Sequence, residues 1–170
     1  MMKAKRLART RRRSGCLVTV LLDITVPGTP VGAARPRVVR LKTGASHTFM
    51  PDGPVRWEHD CVLYARAGIL GTAYGVPVSV EITAHHARPE RLCRKKDPVA
   101  PFPAMCKPDI DNVAKLVLDA LVKAGVMDDD TQVVELVARR MYLPHPGACG
   151  AGDRPRVHIV VRAVQPGVAT

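Results

Sequence analysis

The segment from Lys107 to Tyr142 constrains the fold of this 170-residue chain more tightly than any other part of the sequence. Its apolar residues recur with the spacing of a single helical face: Val113, Leu116, Val117, Ala120, Leu121 and Ala124. Gly125 comes directly after them, at the position where a glycine in the left-handed conformation commonly ends a helix. The pattern therefore predicts an amphipathic helix that ends at Gly125, with Asp111 or Asn112 as its N-terminal cap.

Acidic residues lie on both sides of this helix. Asp109 and Asp111 straddle its start, and residues two apart in extended backbone project in the same direction. Three aspartates, residues 128–130, fill a turn after the helix, and Val133–Tyr142 follows as a strand. If the helix packs back on that strand, the turn returns to the neighbourhood of Asp109 and Asp111. Clustered carboxylates repel one another unless a cation neutralises them, so this arrangement predicts a site for Mg²⁺, which prefers oxygen ligands.

Lys115 lies four residues after Asp111, on the same face of the helix. A lysine beside a metal site would bind a phosphate or assist the departure of the leaving oxygen. Each acid also has an ordinary structural explanation. An aspartate at a helix start commonly interacts with the helix dipole, and aspartates in a turn are commonly solvated. The spacing alone leaves the metal site and these structural roles both open.

The other periodic segments predict a sheet and a second helix. The alternation typical of half-buried strands occupies Val78–Ala84 and residues 156–163, and the apolar run Leu17–Val26 is predicted to be a further strand. A helical stripe over Trp57–Ala67 carries Trp57, Cys61 and Tyr64. We interpret Trp57 as a core residue rather than as a platform for base stacking.

Irregular, basic stretches separate these elements. Val31–Pro54 is rich in Gly, Pro and Arg and is predicted to be a long loop, with room for a short hairpin. Residues 86–105 are rich in Arg, Lys and Pro and predict a second basic loop. Residues 1–14 contain seven Lys or Arg and no acid, which is typical of a flexible basic arm. Residues 15–165 are then expected to form a single domain.

The formal charge of +11 favours a polyanionic partner, because Lys and Arg contacts to phosphates supply most of the non-specific affinity for nucleic acids. The basic composition of a GC-rich genome is an alternative explanation. The five cysteines are scattered without a Cys-x-x-Cys pair, which predicts a reduced, intracellular protein. The apolar run over residues 15–26 is too short and too polar to cross a bilayer, so no membrane association is expected.

Three stretches resemble the core signature of the RusA family of Holliday junction resolvases, which bacteriophages and prophages commonly carry: Pro108–Asn112 with Lys115, Leu118–Leu121, and Asp129–Val133. Upstream, Val26–Pro30 and Arg35–Arg37 resemble the start of many members. The resemblance is dense over about residues 105–142, moderate over 17–40 and weak over 41–105. The basic arm and the basic loop are longer than the minimal family domain needs.

The resemblance implies a small α/β (α+β) domain, with a mixed β-sheet packed by two main helices, that works as a homodimer on a four-way DNA junction. Asp109 and Asp111 match the paired aspartates of the family's Asp-x-Asp-Asn motif, and Asp130 matches its third metal-binding carboxylate. Lys115 matches the functional lysine of the motif. Asp129 matches an adjacent acidic position of secondary importance.

The reaction implied is phosphodiester hydrolysis of branched DNA. One or two Mg²⁺ ions, with Mn²⁺ as a substitute and no small-molecule cofactor, would activate water for in-line attack and leave 5′-phosphate and 3′-hydroxyl ends. Paired cuts across the junction would follow from the symmetry of the dimer. Four basic residues are candidates for contacts to the DNA backbone: Arg35, Arg37, Arg40 and Lys107. The expected location is the cytoplasm of a bacterial host.

Two other functions are compatible with the same residues. A catalytically silent phage DNA-binding protein, regulatory or architectural, would share the charge and the basic arm, but it gains nothing from acids beside its phosphate path. A Mg²⁺-dependent nuclease for flaps and forks would use the same acids. The sequence does not separate this nuclease from a junction resolvase, because selectivity among branched structures depends on dimer geometry and surface shape.

Overall fold

A mixed sheet and two helices make up the described part of the chain in the computed structural model of the protein. The structure describes six stretches: residues 11–13, 16–34, 36–40, 44–49, 51–146 and 153–164. Within them the strands are β1 (Arg11–Arg13), β2 (Cys16–Pro27), β3 (Arg37–Arg40), β4 (Ser46–Phe49), β5 (Val78–His86), β6 (Phe102–Pro103), β7 (Val133–Tyr142) and β8 (Arg156–Ala163). The α-helices of these stretches are α1 (Asp52–Gly68) and α2 (Ile110–Ala124).

The main sheet has the strand order β1-β2-β8-β5-β7-β6, and β3 and β4 form a separate hairpin. β5 and β7 run parallel, whereas the other neighbouring pairs are antiparallel. Because side chains alternate along a strand, the apolar residues of β2, β5 and β8 enter the core while Asp23, Glu81 and His158 lie on the opposite face. The predicted class, a mixed sheet packed by two main helices, is confirmed.

The core lies between this sheet and the two helices. Its centre contains fully buried aliphatic residues from both: Leu22, Val80, Ile82, Val117, Leu121 and Ile159. Trp57 is buried, as predicted, and so is Cys61, whose burial raises its pKa to about 12. Tyr64 does not belong to this core, because Val62 and Ala65 occupy the inward face of α1 and leave the tyrosine exposed.

The parallel pairing of β5 and β7 determines where α2 lies. These strands end side by side at His86 and Tyr142, and two parallel strands require a crossover connection, which is usually a helix. α2 forms part of this crossover and runs back along the sheet. The start of α2 therefore lies near the end of β7, and the end of α2 lies near the start of β7. This direction separates the acids that precede α2 from those that follow it.

The sequence predicted the C-terminal end of α2 correctly but not its N-terminal cap. Gly125 has φ 78° and ends the helix in the left-handed conformation, as predicted. The predicted cap at Asp111 or Asn112 is wrong, because Asp109 occupies the N-cap position. The carbonyl of Asp109 already accepts the amide of Val113 at 3.1 Å, which begins the helix earlier than its apolar stripe does. Asp111 consequently lies in the first turn of α2.

The irregular stretches contain short ordered elements. The predicted loop at Val31–Pro54 includes the β3–β4 hairpin, and α1 begins within it at Asp52. Residues 86–105 contain a 3-10 turn at Glu90–Leu92 and the two-residue strand β6. β1 comes from the end of the predicted basic arm and pairs with β2, whereas residues 1–10 lie outside the described stretches. Among the described helices, neither has the length and apolar character needed to cross a membrane.

Candidate active site

Three predicted site residues lie along the exposed side at the start of α2. Asp109, at the N-cap, is exposed, and its side chain makes no capping hydrogen bond. Asp111 is exposed in the first turn, and Lys115 is exposed one turn further along. The opposite side of the helix is buried in the core. The amphipathic pattern that anchors α2 therefore presents two carboxylates and an ammonium group together to solvent.

The entry to α2 is held by neighbouring backbone. Arg140 of β7 donates hydrogen bonds to the carbonyls of Cys106 and Pro108, the latter at 3.0 Å. On the other side, the amide of Ala33 donates to the carbonyl of Asn112 at 2.8 Å. Sequence reasoning did not identify Arg140, although the Arg139-Arg140 pair interrupts a mostly apolar strand and is the signal that could have revealed it. These contacts fix the backbone from which Asp109 and Asp111 project.

Gly32 permits this close approach of backbone segments. A Cβ atom at this position would lie 2.9 Å from Cβ of Pro108 and 3.0 Å from Cβ of Asn112. Such distances are shorter than ordinary carbon–carbon contacts, so only a glycine fits without displacement of the helix entry. The segment that begins at Pro27-Gly28 thus packs against the peptide that carries Asp109.

The acidic turn after α2 is shaped by a different set of contacts. Asp129 caps the 3-10 turn Asp130–Gln132 and accepts the amide of Thr131 at 2.8 Å, and this backbone hydrogen bond is the main reason that the pKa of Asp129 is lowered. The Gln132 side chain accepts the amide of Asp128 at 2.7 Å. It also donates to the carbonyls of Ala73 and Val76, at 2.6 and 3.1 Å. Asp129 therefore has a structural role in the turn, and Asp130 is left exposed beside it.

Asp130 faces the second half of α2. An open pocket on this side is lined by Asp119, Val122, Lys123, Asp129 and Asp130. Lys123 is already engaged, because its ammonium group binds Glu58 of α1 at 2.7 Å. Asp130 therefore approaches α2 near its end, and not at its start where Asp109 lies.

One chain does not bring the predicted metal ligands together. Asp111 and Ala124 are separated by most of α2, which corresponds to about 20 Å along the helix axis. Across the described stretches, no three His, Cys, Asp or Glu side chains lie close enough to hold a metal ion. The expectation that the acidic turn returns to Asp109 and Asp111 within the chain is wrong, because the rigid helix keeps the two groups at its opposite ends.

Of the candidate DNA-binding residues, Lys107 lies at the entry to α2, just before Pro108. Lys107 is exposed and precedes Pro108 through a cis peptide bond. Arg40 is exposed at the end of β3. Arg37 belongs to the same strand, but its side chain lies outside the described part, as does the whole of Arg35.

Comparisons with known proteins agree with this architecture. The profile of the family described as "Endodeoxyribonuclease RusA" matches residues 27–162, which include β2 from its last residue, both helices and nearly all of β8. YqaN of Bacillus subtilis (strain 168), described as an uncharacterized protein, is 29% identical over 148 residues, which cover 84% of this chain and 96% of that protein. The family match spans both groups of acids and the connecting helix. The chain therefore belongs to the RusA family of endodeoxyribonucleases, which resolve Holliday junctions.

Proposed function

We propose that this protein is a Mg²⁺-dependent endonuclease that resolves four-way DNA junctions by paired phosphodiester hydrolysis. The observation that carries the proposal is the exposure of Asp109 and Asp111 beside Lys115 at the start of α2, in a chain of this family. Asp109, Asp111 and Asp130 would hold the metal, and Lys115 would contact the scissile phosphate. Mn²⁺ is expected to substitute for Mg²⁺.

The donor chemistry at the start of α2 fits a hard divalent cation. Within the described residues, neither Asp109 nor Asp111 forms an ion pair with a Lys, Arg or His side chain. Two carboxylates on neighbouring positions then repel each other, and a cation with oxygen preference relieves that repulsion. Bound Mg²⁺ would supply Lewis-acid activation of water and neutralise charge that develops on the phosphate.

Lys115 is suited to contact the substrate. It lies one helical turn beyond Asp111 on the same exposed side, and no acid among the described residues pairs with it. A lysine ammonium is a compact positive charge on a flexible stem, which suits a phosphate that moves during the reaction. Lys115 would therefore hold the scissile phosphate against the carboxylates and stabilise the negative charge that builds up on it.

A second copy of the chain would complete each site. β6 pairs with β7 only at Met141 and Tyr142, so the outer edge of β7 from Val133 to Arg139 has no strand partner among the described residues. Val134 and Leu136 on this strand are 61% and 45% exposed. An unpaired strand edge with exposed apolar side chains is a template for pairing with another strand. These features support a twofold dimer joined along β7.

The direction of β7 relates this dimer to the acids. A twofold axis makes two adjacent copies of one strand antiparallel, so the start of one β7 lies near the end of the other. Asp130 precedes the start of β7, and Arg140 near its end binds the peptide that leads into Asp109. Asp130 of one subunit would therefore approach Asp109 and Asp111 of the partner subunit. Two such composite sites would account for paired cuts.

Cleavage of a labelled synthetic four-way junction tests the function. The wild-type protein is expected to introduce symmetric nicks with Mg²⁺, none with EDTA, and none in a linear duplex of the same sequence. Asp109→Asn should abolish the nicks and leave junction binding intact, because the substitution removes a metal ligand and a charge that repels phosphate. Equal cutting of flaps and forks would support the broader nuclease. Tight binding without cutting under any divalent ion would leave the catalytically silent DNA-binding protein.

A further inference from the structure

We propose that the loop between β5 and β6 is a preformed platform that binds the phosphate backbone of a DNA arm beside the cut, an inference that rests on the proposed function. Four exposed basic residues form this basic platform: Arg91, Arg94, Lys95 and Lys96.

The positive charge of the platform is not neutralised within the described residues. None of its four basic side chains takes part in an ion pair there. The situation elsewhere is different, since Lys123 binds Glu58, and Arg139 and Arg162 both bind Glu81. The nearby Asp97 carboxylate accepts the backbone amide of Arg94 at 2.7 Å. Glu90 and Asp97 also lie in this loop, but the four basic residues outnumber them and give the platform a net positive charge, which phosphates would neutralise.

Arg88 organises the loop on which these charges stand. Its guanidinium group donates to three carbonyls, those of Leu143 at 3.0 Å, Pro98 at 2.6 Å and Ala100 at 2.9 Å. The same group lies 4.7 Å from the centre of the Phe102 ring. A planar guanidinium with several donors in fixed directions holds backbone segments in one arrangement. The guanidinium group of Arg88 is thus engaged inside the loop, whereas the four basic side chains of the platform are exposed to solvent.

Further backbone contacts close the loop. The amide of His145 donates to the carbonyl of Val99 at 2.9 Å, and Nε2 of the same histidine lies 3.0 Å from the carbonyl oxygen of Cys93. The amide of Asp97 donates to the carbonyl of Arg94 at 2.9 Å, which forms a tight turn around Lys95 and Lys96. A loop that is ordered before binding loses less conformational entropy when it contacts a partner. This order distinguishes the platform from a merely solvated run of charges.

The platform lies at the end of the sheet that carries the start of α2. The loop leaves β5 after His86 and enters β6, which pairs with the last two residues of β7. The chain then passes Cys106 and Pro108, both bound by Arg140, and reaches Asp109. A DNA strand with its scissile phosphate at Asp109 would therefore have neighbouring phosphates within reach of this end of the molecule. Within one chain, Asp130 lies at the opposite end of α2 from the platform.

The test is the affinity of the full-length protein for a labelled four-way junction and for a linear duplex, in the Asp109→Asn background so that the DNA stays intact. Lys95→Ser/Lys96→Ser should weaken junction binding about tenfold near physiological salt and reduce the slope of log affinity against log salt by about 1.8, two phosphate contacts at about 0.9 each. Lys95→Arg/Lys96→Arg keeps both charges and should bind like the parent protein. Arg56→Ser, which removes one exposed charge from α1, is the control and should leave the slope nearly unchanged.

A second measurement, chemical acetylation of lysines, needs no substitution in the platform and so does not depend on whether a variant folds. Lys95 and Lys96 should react with an amine-acetylating reagent in the protein alone and be protected when the junction is bound, as read by mass spectrometry. An unchanged salt slope in the double serine variant, or equal acetylation with and without DNA, would overturn the proposal. Wild-type protein that binds DNA through the platform but never cuts would contradict the proposed function and leave the platform standing. Parent protein that binds no DNA would overturn both.

Discussion

At the scale of single residues, the carboxylates of this protein differ in whether a basic side chain forms an ion pair with them. Glu81 on the open face of the sheet binds Arg139 at 2.5 Å and Arg162 at 3.1 Å, and the hydrogen bond from Arg139 is the main reason that its pKa is lowered. Asp109 and Asp111 have no such partner among the described residues. Glu81 is thus held by two arginines, whereas the carboxylates proposed to bind the metal have no cationic partner among the described residues.

The burial of His86 leads to a prediction of how the free energy of unfolding depends on pH. It is 5% exposed, its Nε2 atom makes no hydrogen bond, and burial is the main cause of its lowered pKa. The folded state therefore favours the neutral ring, whereas the unfolded state takes up a proton once the pH falls below the ordinary value of 6.5. The free energy of unfolding should be unaffected by this group above that value, should decrease as the pH falls from it towards the lowered folded pKa, and should lose nothing further from this group below the folded pKa.

Denaturant unfolding at about pH 8 and about pH 5.5 checks this prediction. His86→Leu should lose less stability between the two conditions than the wild-type protein, because it has no proton to take up. His59→Leu, at an exposed position on α1, is the matched control. If wild type and His86→Leu lose the same free energy of unfolding on acidification, His86 does not contribute to the acid sensitivity.

At the scale of elements, α2 connects the packing of the core to the position of the candidate site. Its buried face holds it against the sheet, and Arg140 and the segment around Gly32 hold its entry from two sides. The side chains of the acids at its start are exposed, but the backbone that carries them is held by these contacts. A change in the packing of this entry should therefore affect catalysis without any contact to DNA.

Gly32→Ala tests that coupling. The added Cβ would lie 2.9 Å from Cβ of Pro108, so the entry to α2 must shift. We expect a loss of about 1–3 kcal/mol in the free energy of unfolding, as for other overpacked positions, together with slower junction cleavage. The control is Gly53→Ala, where nothing beyond the adjacent residues lies within 4 Å of the new atom and where the helix entry at Pro108 is not affected. Equal behaviour of the two variants in unfolding and cleavage assays would refute the coupling.

The sequence predicted these elements well where local periodicity determines them. β7 has the predicted bounds, and α2 ends at the predicted Gly125. The cap at Asp109 was missed because a helix can begin before its apolar stripe does. The separation of Asp130 from Asp109 was also missed, because it depends on the direction in which α2 crosses the sheet. Spacing along the chain contains no direct information about that direction.

At the scale of the whole molecule, the proposed dimer would account for both the exposed edge of β7 and the split set of acids. A single chain offers Asp109 and Asp111 at one end of α2 and Asp130 at the other. Antiparallel pairing of two β7 strands would bring the two ends together twice. Metal binding would then require the dimer, and an isolated chain would be unable to cut DNA.

Mixing two inactive variants tests the composite sites. Asp109→Asn and Asp130→Asn should each be inactive alone. After equal amounts are unfolded and refolded together, half of the dimers contain one of each, and every such dimer has one intact composite site, so about a quarter of the wild-type sites should return. The recovered activity should nick a junction once rather than in pairs. No recovery, with mixed dimers verified by a tag on one variant, would mean that each site is built within a single chain.

The contacts of Gln132 explain why a glutamine follows two residues after Asp130. Its amide donates hydrogen bonds to the carbonyls of Ala73 and Val76 and so holds the acidic turn in place. The letters of the Asp-Asp-Thr-Gln signature are therefore of two kinds, architectural and chemical. A relative that keeps the glutamine but replaces the second aspartate should retain the fold and have lost a ligand. Such relatives would be expected to bind DNA without cleaving it.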